Sequence, residues 1–305
     1  TTSEPYVMGS HATCSGAWAS GPADFAPAEY QWGYNRMMTV DGLFGAGDAI
    51  GGSAHKFSSG SFTEGRIAGS SFTFNAWGGK YAPWDLDDKV APQILESLGL
   101  ERVDAPLVME GGSIHTDGEG TLLTTEECLL NPNRNPSLNR AEIEEYVRKY
   151  TGTEQIIWLK QGLSGDETDG HVDNIACFAA PGKVIIQVCD DPQDENYGIT
   201  LDNLSILENA VDARGRKLEI VKIAQPPRVD FEDSRLTLSY LNFYFVNGGI
   251  ILPVFGGTAE ETDKLAEQVL ADVFPDRRIR KVNGMAVIRE GGNVHCTTQQ
   301  MPAVK

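Results

Sequence analysis

Apolar residues along this chain follow two alternating rhythms. Short runs have strand length and a β-branched or aromatic content: Gln155-Ile-Ile-Trp-Leu159, Val184-Ile-Ile-Gln-Val188, Leu218-Glu-Ile-Val-Lys-Ile223, Leu241-Asn-Phe-Tyr-Phe-Val246 and Ile250-Ile-Leu252. Between them the period changes. Ile143, Tyr146, Val147 and Tyr150 lie at i, i+3, i+4 and i+7, which is one face of a helix, and Leu265, Val269, Leu270 and Val273 make a similar stripe. A further helix is expected over Lys89–Leu98, its start marked by Asp85, Asp87 and Asp88, which complement the helix dipole. Thr258 with Glu261 three residues on predicts a capping box. Pro181-Gly182 and Asn247-Gly-Gly249 supply turns, the latter with the positive φ of a tight hairpin.

Strands alternating with helices imply an α/β protein. The alternation repeats as strand, turn, strand, helix, strand, at intervals of roughly 50–65 residues, and such a period signals a repeat architecture. One unit begins at Glu110, a second at Asp169 and a third near Leu238. A partial fourth runs from Phe72 through Asn75-Ala-Trp-Gly-Gly79 to the helix at Lys89, and a fifth begins at Glu290 and runs out at the C-terminus. Residues 1–70 read differently. They are rich in Gly, Ala and Ser and hold no amphipathic stretch able to supply the helix that would complete the fifth unit, so the chain divides into an atypical segment, 1–70, and a repeat domain, 71–305.

Composition narrows the classes. The 305 residues are 41% hydrophobic and 22% charged, ordinary for a globular protein. Against 43 acidic side chains stand only 25 basic ones, a formal charge of −18. That balance repels phosphate backbones and anionic membrane surfaces and attracts small cations. No apolar run is long enough to span a bilayer, and no signal peptide is visible. The five cysteines, Cys14, Cys128, Cys177, Cys189 and Cys296, form no CxxC pair. This argues against a disulfide framework and for a reducing interior, cytoplasm or organelle.

Three polar clusters recur at similar points of three units: Glu110-Gly-Gly, Asp169-Gly-His-Val-Asp173 and Gly291-Gly-Asn-Val-His-Cys296. Equivalent points in a ring of repeats converge on its axis. A Cys, a His and carboxylates gathered there would supply a nucleophile, an acid/base and a cation clamp. His171 and Asp173 lie two residues apart, on one face if the segment is a strand.

Glu110-Gly-Gly-Ser-Ile-His115, Asp166-Glu-Thr-Asp-Gly-His-Val-Asp-Asn174, Phe74-Asn-Ala-Trp-Gly-Gly79, Ser239-Tyr-Leu-Asn-Phe-Tyr244 and Gly291-Gly-Asn-Val-His-Cys-Thr-Thr-Gln-Gln300 closely resemble the agmatine deiminases of the pentein, or guanidine-modifying, superfamily. The resemblance runs from about Phe72 to Pro302, three quarters of the chain. It implies a five-bladed α/β propeller of ββαβ units with its site on a pseudo-fivefold axis, one unit being incomplete at the N-terminus. It implies hydrolysis of agmatine to N-carbamoylputrescine and ammonia, a step toward putrescine, without metal or organic cofactor. Cys296 matches the nucleophile, His171 the general acid/base, Glu110 and Asp173 carboxylates that hold the guanidinium, and Glu167 an acidic position near the substrate's far end. Family members are commonly homo-oligomers.

The remaining polar residues receive plainer readings. Asp166 and Asp169 read as turn residues, Cys128, Cys177 and Cys189 as core cysteines, and His115 and His295 receive no role. One departure is marked. Family members carry an Asp-Ala-Trp-Met-Arg-Asp motif whose last Asp grips the guanidinium. The nearest match here, Asp48-Ala-Ile-Gly-Gly-Ser53, puts Ser53 in that place. A lost carboxylate weakens and misaligns the cation, so the alternative reading is an impaired relative kept as a structural subunit of a larger complex that covers the incomplete unit.

Overall fold

In the computed structural model the described residues are 5–6, 17–18, 68–97, 99–289 and 291–299. Most of the segment 1–70, with its Ser53, therefore lies outside them.

Three successive stretches fold the same way. In the first, His115–Thr116 (β1) pairs antiparallel with Thr121–Thr125 (β2), the helix Arg140–Thr151 (α1) crosses over, and Gln155–Leu159 (β3) returns parallel to β2. In the second, Ala176–Ala180 (β4) and Lys183–Val188 (β5) form the hairpin, Asn196–Asn209 (α2) crosses over, and Glu219–Ala224 (β6) lies parallel to β5. In the third, Tyr244–Val246 (β7), Gly249–Val254 (β8), Glu260–Val273 (α3) and Arg278–Asn283 (β9) repeat the pattern. A parallel return needs a long crossover, and the helix supplies it. Ahead of these, strand Ala68–Thr73 pairs parallel with Glu101–Val108 across the helix Val90–Ser97. The repeat read from the sequence is thus present as three equivalent units and part of a fourth.

Alternate residues of the middle strands point into different cores. Leu122 and Ile156 join Phe72, Leu107, Ile143 and Val147, whereas Leu123 and Ile157 join Val172, Phe178, Val184, Ile186 and Leu207. Likewise Ile185, between Val184 and Ile186, faces the third cluster with Tyr240, Phe243, Ile250 and Leu270. Each middle strand is covered on both faces, so it reads as a continuous apolar run rather than an alternating one.

Local expectations fare unevenly. Helix α1 buries Ile143 and Val147 as its stripe predicts, and it carries a full capping box, but on Asn139 and Glu142. The box expected on Thr258 and Glu261 does not form. A 3₁₀ turn at Gly257–Ala259 leads into α3, whose N-cap is Ala259 without a side-chain bond. Instead the Asp263 carboxylate accepts the backbone N–H groups of Phe255 and Gly256 and the Tyr240 hydroxyl, so α3 is anchored from within. Three members of the predicted stripe meet the core: Leu270 is buried and Val269 and Val273 pack against it. Leu265 is the exception, 55% exposed, and Asp263 and Ala266 complete the buried face. Asp87 and Asp88 do open a helical turn before Val90, and Asp88 accepts the N–H of Phe74.

Candidate active site

The three polar clusters meet in the interior. Glu110, His171, Asp173 and Cys296 are each at most 4% exposed. Glu110 lies in the loop before β1, His171 and Asp173 lie in the loop before β4, and Cys296 lies in a turn beyond β9.

Cys296 and Asp173 form one half of the site. The Cys296 thiol donates to Asp173 Oδ2 over 3.3 Å, and His295 Nδ1 lies 2.7 Å from the same oxygen. Asn242 holds the cysteine from the other side. Its Nδ2 donates to Cys296 Sγ (3.1 Å) and to Asn174 Oδ1 (3.0 Å), while its Oδ1 accepts the backbone N–H groups of His295 (2.9 Å) and Cys296 (3.3 Å). One amide side chain therefore fixes both the sulfur and the peptide that carries it.

Glu110 and His171 form the other half, with His171 Nε2 3.5 Å from Glu110 Oε2. The second carboxylate oxygen is committed elsewhere: Arg134 Nε donates to Glu110 Oε1 over 2.7 Å. Arg134 is buried and spends its other nitrogens on Asp169 Oδ2 (2.9 Å), Asn133 Oδ1 (2.8 Å) and the Thr168 carbonyl (2.8 Å). Burial alone would push the Glu110 carboxyl up, but His171 and then Arg134 outweigh it and hold it below its ordinary range. For His171, burial works against the cation, yet contact with Cys128 and Glu110 raises its pKa well above the usual value. Both shifts favour an imidazolium facing a carboxylate.

The halves touch at Gly112. A Cβ there would stand 2.5 Å from His171 Nδ1 and 2.8 Å from Asp173 Oδ2, so only glycine lets this backbone pass so close to both.

The loop 160–171 delivers His171. Gly162 N donates to Glu127 Oε2 (2.6 Å) and Ser164 N to Asn196 Oδ1 (2.7 Å), while Thr125 Oγ1 donates to the Gly170 carbonyl (2.6 Å). Asp166 does more than turn the chain: its Oδ2 accepts the His171 N–H, and its Oδ1 accepts from Thr168. Asp169, at φ 61°, meets Lys80 and Arg134 as well as Asn133. Both are thus corrected from simple turn residues to anchors of the loop.

Glu167 stands apart from the central four. Its Oε2 accepts the Tyr81 hydroxyl over 2.7 Å, and its Oε1 crowds Gly291, the start of the Cys296 loop. That hydrogen bond, with burial and the Glu167 charge, pushes the Tyr81 phenol up to about 12. Tyr81 is brought there by Asn75–Gly79, a left-handed turn through Ala76 and Trp77, each at φ 53°. Lys80 of this segment also donates to the Glu167 carbonyl.

Several site members escaped the sequence reading. Cys128, Cys177 and Cys189 are core residues as expected, but Cys128 also has polar neighbours. Its sulfur lies 3.9 Å from Glu110 Oε2, and the ligand atoms of Glu110, Cys128 and His171 all fall within 4.8 Å of one another. Burial and then the Glu110 charge push the Cys128 thiol up. His295 and Asn242 lay inside quoted motifs without a role, and Arg134 lay outside all of them. His115 has a structural duty: its Nδ1 accepts the Phe178 N–H.

Residues 56–302 match the family model of the Porphyromonas-type peptidyl-arginine deiminases. An agmatine deiminase of Stutzerimonas stutzeri is 46% identical over 262 residues, covering 78% of this chain and 70% of that protein. The solved agmatine deiminase of Enterococcus faecalis superposes with a TM-score of 0.73 at 39% identity, covering 78% of this chain and 70% of its own. A cysteine-to-serine variant of the C. jejuni agmatine deiminase, solved with substrate bound, superposes with a TM-score of 0.71 at 32% identity, covering 77% of this chain and 68% of its own.

Proposed function

Because this chain belongs to the agmatine deiminases, within the Porphyromonas-type peptidyl-arginine deiminase family, we propose that it hydrolyses agmatine to N-carbamoylputrescine and ammonia. The observation that carries the proposal is the convergence of Cys296, Asp173, Glu110 and His171, from three separate loops, at one buried place.

Guanidinium resists hydrolysis because its charge is delocalised and its leaving group is basic. Carboxylates suit it as forked acceptors of its N–H groups, and Glu110 and Asp173 take that role. Cys296, as thiolate, attacks the central carbon. A C–S bond forms, a C–N bond breaks, and ammonia leaves with a proton from His171. The imidazolium held by Glu110 is the form that step requires. Neutral His171 then takes a proton from water. The oxygen adds to the amidino carbon, the C–S bond breaks, and the thiolate returns as the carbamoyl product departs. A bound cysteine-to-serine relative is in keeping with a sulfur that acts on an already seated substrate. Glu167, beside Tyr81 at the rim of the cluster, suits the substrate's distal ammonium.

The repeated units favour a closed ring of five about the site, the propeller that the motifs imply. A homo-oligomer, or a larger assembly, would cover the atypical N-terminal side. Ammonia and N-carbamoylputrescine release from agmatine by purified protein, beside Cys296→Ala, tests the proposal. Turnover by wild type alone is expected. A folded wild type without turnover would favour the structural-subunit alternative, and preference for a peptidyl arginine would move the substrate.

A further inference from the structure

The proposed reaction uses Glu110 and His171 but leaves Cys128 without a part. Cys128 is fully buried, and its sulfur sits beside both. His171 Nε2 is buried without a hydrogen bond, 3.5 Å from Glu110 Oε2. We propose that Glu110 Oε2, Cys128 Sγ and His171 Nε2 form a three-ligand site for a borderline-soft divalent cation of the zinc class, whose occupation stops turnover.

Geometry and donor chemistry both point there. Thiolate, imidazole and carboxylate are the donors zinc takes, at about 2.3, 2.0–2.1 and 2.0–2.2 Å. A tetrahedron with those arms separates its ligands by roughly 3.3–3.6 Å. The carboxylate lies 3.5 Å from the imidazole nitrogen and 3.9 Å from the sulfur, within tenths of an ångström of those separations, and all three donors fall within 4.8 Å of one another. The second shell is in place. Arg134 grips Glu110 by Oε1 and leaves Oε2 toward His171 Nε2 and Cys128 Sγ, the arrangement that orients a monodentate carboxylate. The Arg134 charge is already met by Asp169 and Glu110, so it does not stand alone against an arriving cation. A formal charge of −18 draws divalent ions to the protein as it would draw agmatine.

Binding is a ligand exchange without redox change. The Cys128 thiol and the His171 imidazolium each lose a proton to solvent, and the metal takes their lone pairs. His171 then has no proton for the departing ammonia. The inhibition, though not the site, rests on the deiminase reading.

Cobalt(II) titration of the purified protein tests the site, because thiolate ligation gives a near-ultraviolet charge-transfer band. The band should appear in wild type and in Cys296→Ser. In Cys128→Ser it should vanish, with cobalt affinity lowered at least ~100-fold. Should Cys128→Ser fail to fold, Cys296→Ser decides alone: zinc binding should release at least one proton per metal, as deprotonation of the Cys128 thiol requires. A band lost in Cys296→Ser but kept in Cys128→Ser would overturn the proposal, as would no band with no proton release. Agmatine turnover should fall with added zinc and return with a chelator. A protein that binds cobalt as described yet never turns over agmatine keeps the metal site and refutes the deiminase reading instead.

Discussion

Arg134 and Glu110 face each other at 2.7 Å with both side chains buried, and this contact decides which carboxylate oxygen meets His171. Removing one partner of a buried pair strands the other's charge and costs roughly 3–5 kcal/mol. Arg134→Met should therefore lower the urea midpoint by a matching amount. Arg134→Lys keeps a charge but not the fork that also reaches Asp169 and Thr168. It should leave a folded protein whose kcat for agmatine is reduced and whose pH profile is displaced. An unchanged profile would reduce Arg134 to a stabilising residue.

Gly112 separates the two halves of the site. Gly112→Ala would drive a methyl into His171 Nδ1 and Asp173 Oδ2, neither of which is the loose end of a flexible chain. The φ at Gly112 lies outside the left-handed range, so the backbone itself tolerates alanine. The expected result is a folded protein destabilised by about 1–3 kcal/mol through overpacking, with turnover down about 100-fold, the scale of a 1 Å misplacement. Wild-type kinetics in this variant would mean that the cluster is not the reacting centre.

Stability should depend on pH in two opposite limbs. The Glu110 pKa is lowered from 4.5, so its contribution is present above that value and lost as pH falls through the folded value. The His171 pKa is raised well above 6.5, so its contribution is full below 6.5 and lost as pH rises through the folded value. Urea denaturation across pH should show the pair contributing fully between 4.5 and 6.5. Glu110→Gln should flatten both limbs relative to wild type. Parallel curves for the two proteins would refute the coupling.

The one exposed member of the α3 stripe makes a paired prediction. Leu265→Lys should change stability by no more than about 0.5 kcal/mol, as an exposed substitution does. Leu270→Ala empties a fully buried position and should cost roughly 2–5 kcal/mol. Equal costs would place α3 in the other rotation.

What the sequence revealed, and what it hid, follows from the range of the forces involved. The repeat was legible because strand and helix periods are local: Gln155–Leu159 reads as a strand and is one. Leu265 misled because its stripe counted only apolar side chains, while the buried face of α3 includes Asp263, which serves the Phe255 and Gly256 N–H groups. Cys296, His171, Glu110 and Asp173 were legible through their motifs, and the fold does bring them together. Arg134 was not. Its partners lie at 110, 168 and 169, and nothing in Asn-Pro-Asn-Arg-Asn says that an arginine will be buried. The polar neighbours of Cys128, which is otherwise the core residue expected, were hidden for the same reason. A buried thiol looks like a small hydrophobe until its neighbours are known. Asn242 offered a weak signal, a polar residue inside an otherwise apolar and aromatic run.

The order of these residues along the chain has a consequence during synthesis. A chain emerging from the ribosome folds its earlier portions first. The carboxylates and imidazole, at 110, 171 and 173, can be in place while the sulfur that Asn242 must hold has yet to be translated. A chain interrupted before Cys296 would carry the carboxylates and the imidazole but not the sulfur. On the proposed reaction such a chain has no group to attack a guanidinium carbon, so reactivity would wait for Cys296 to be added.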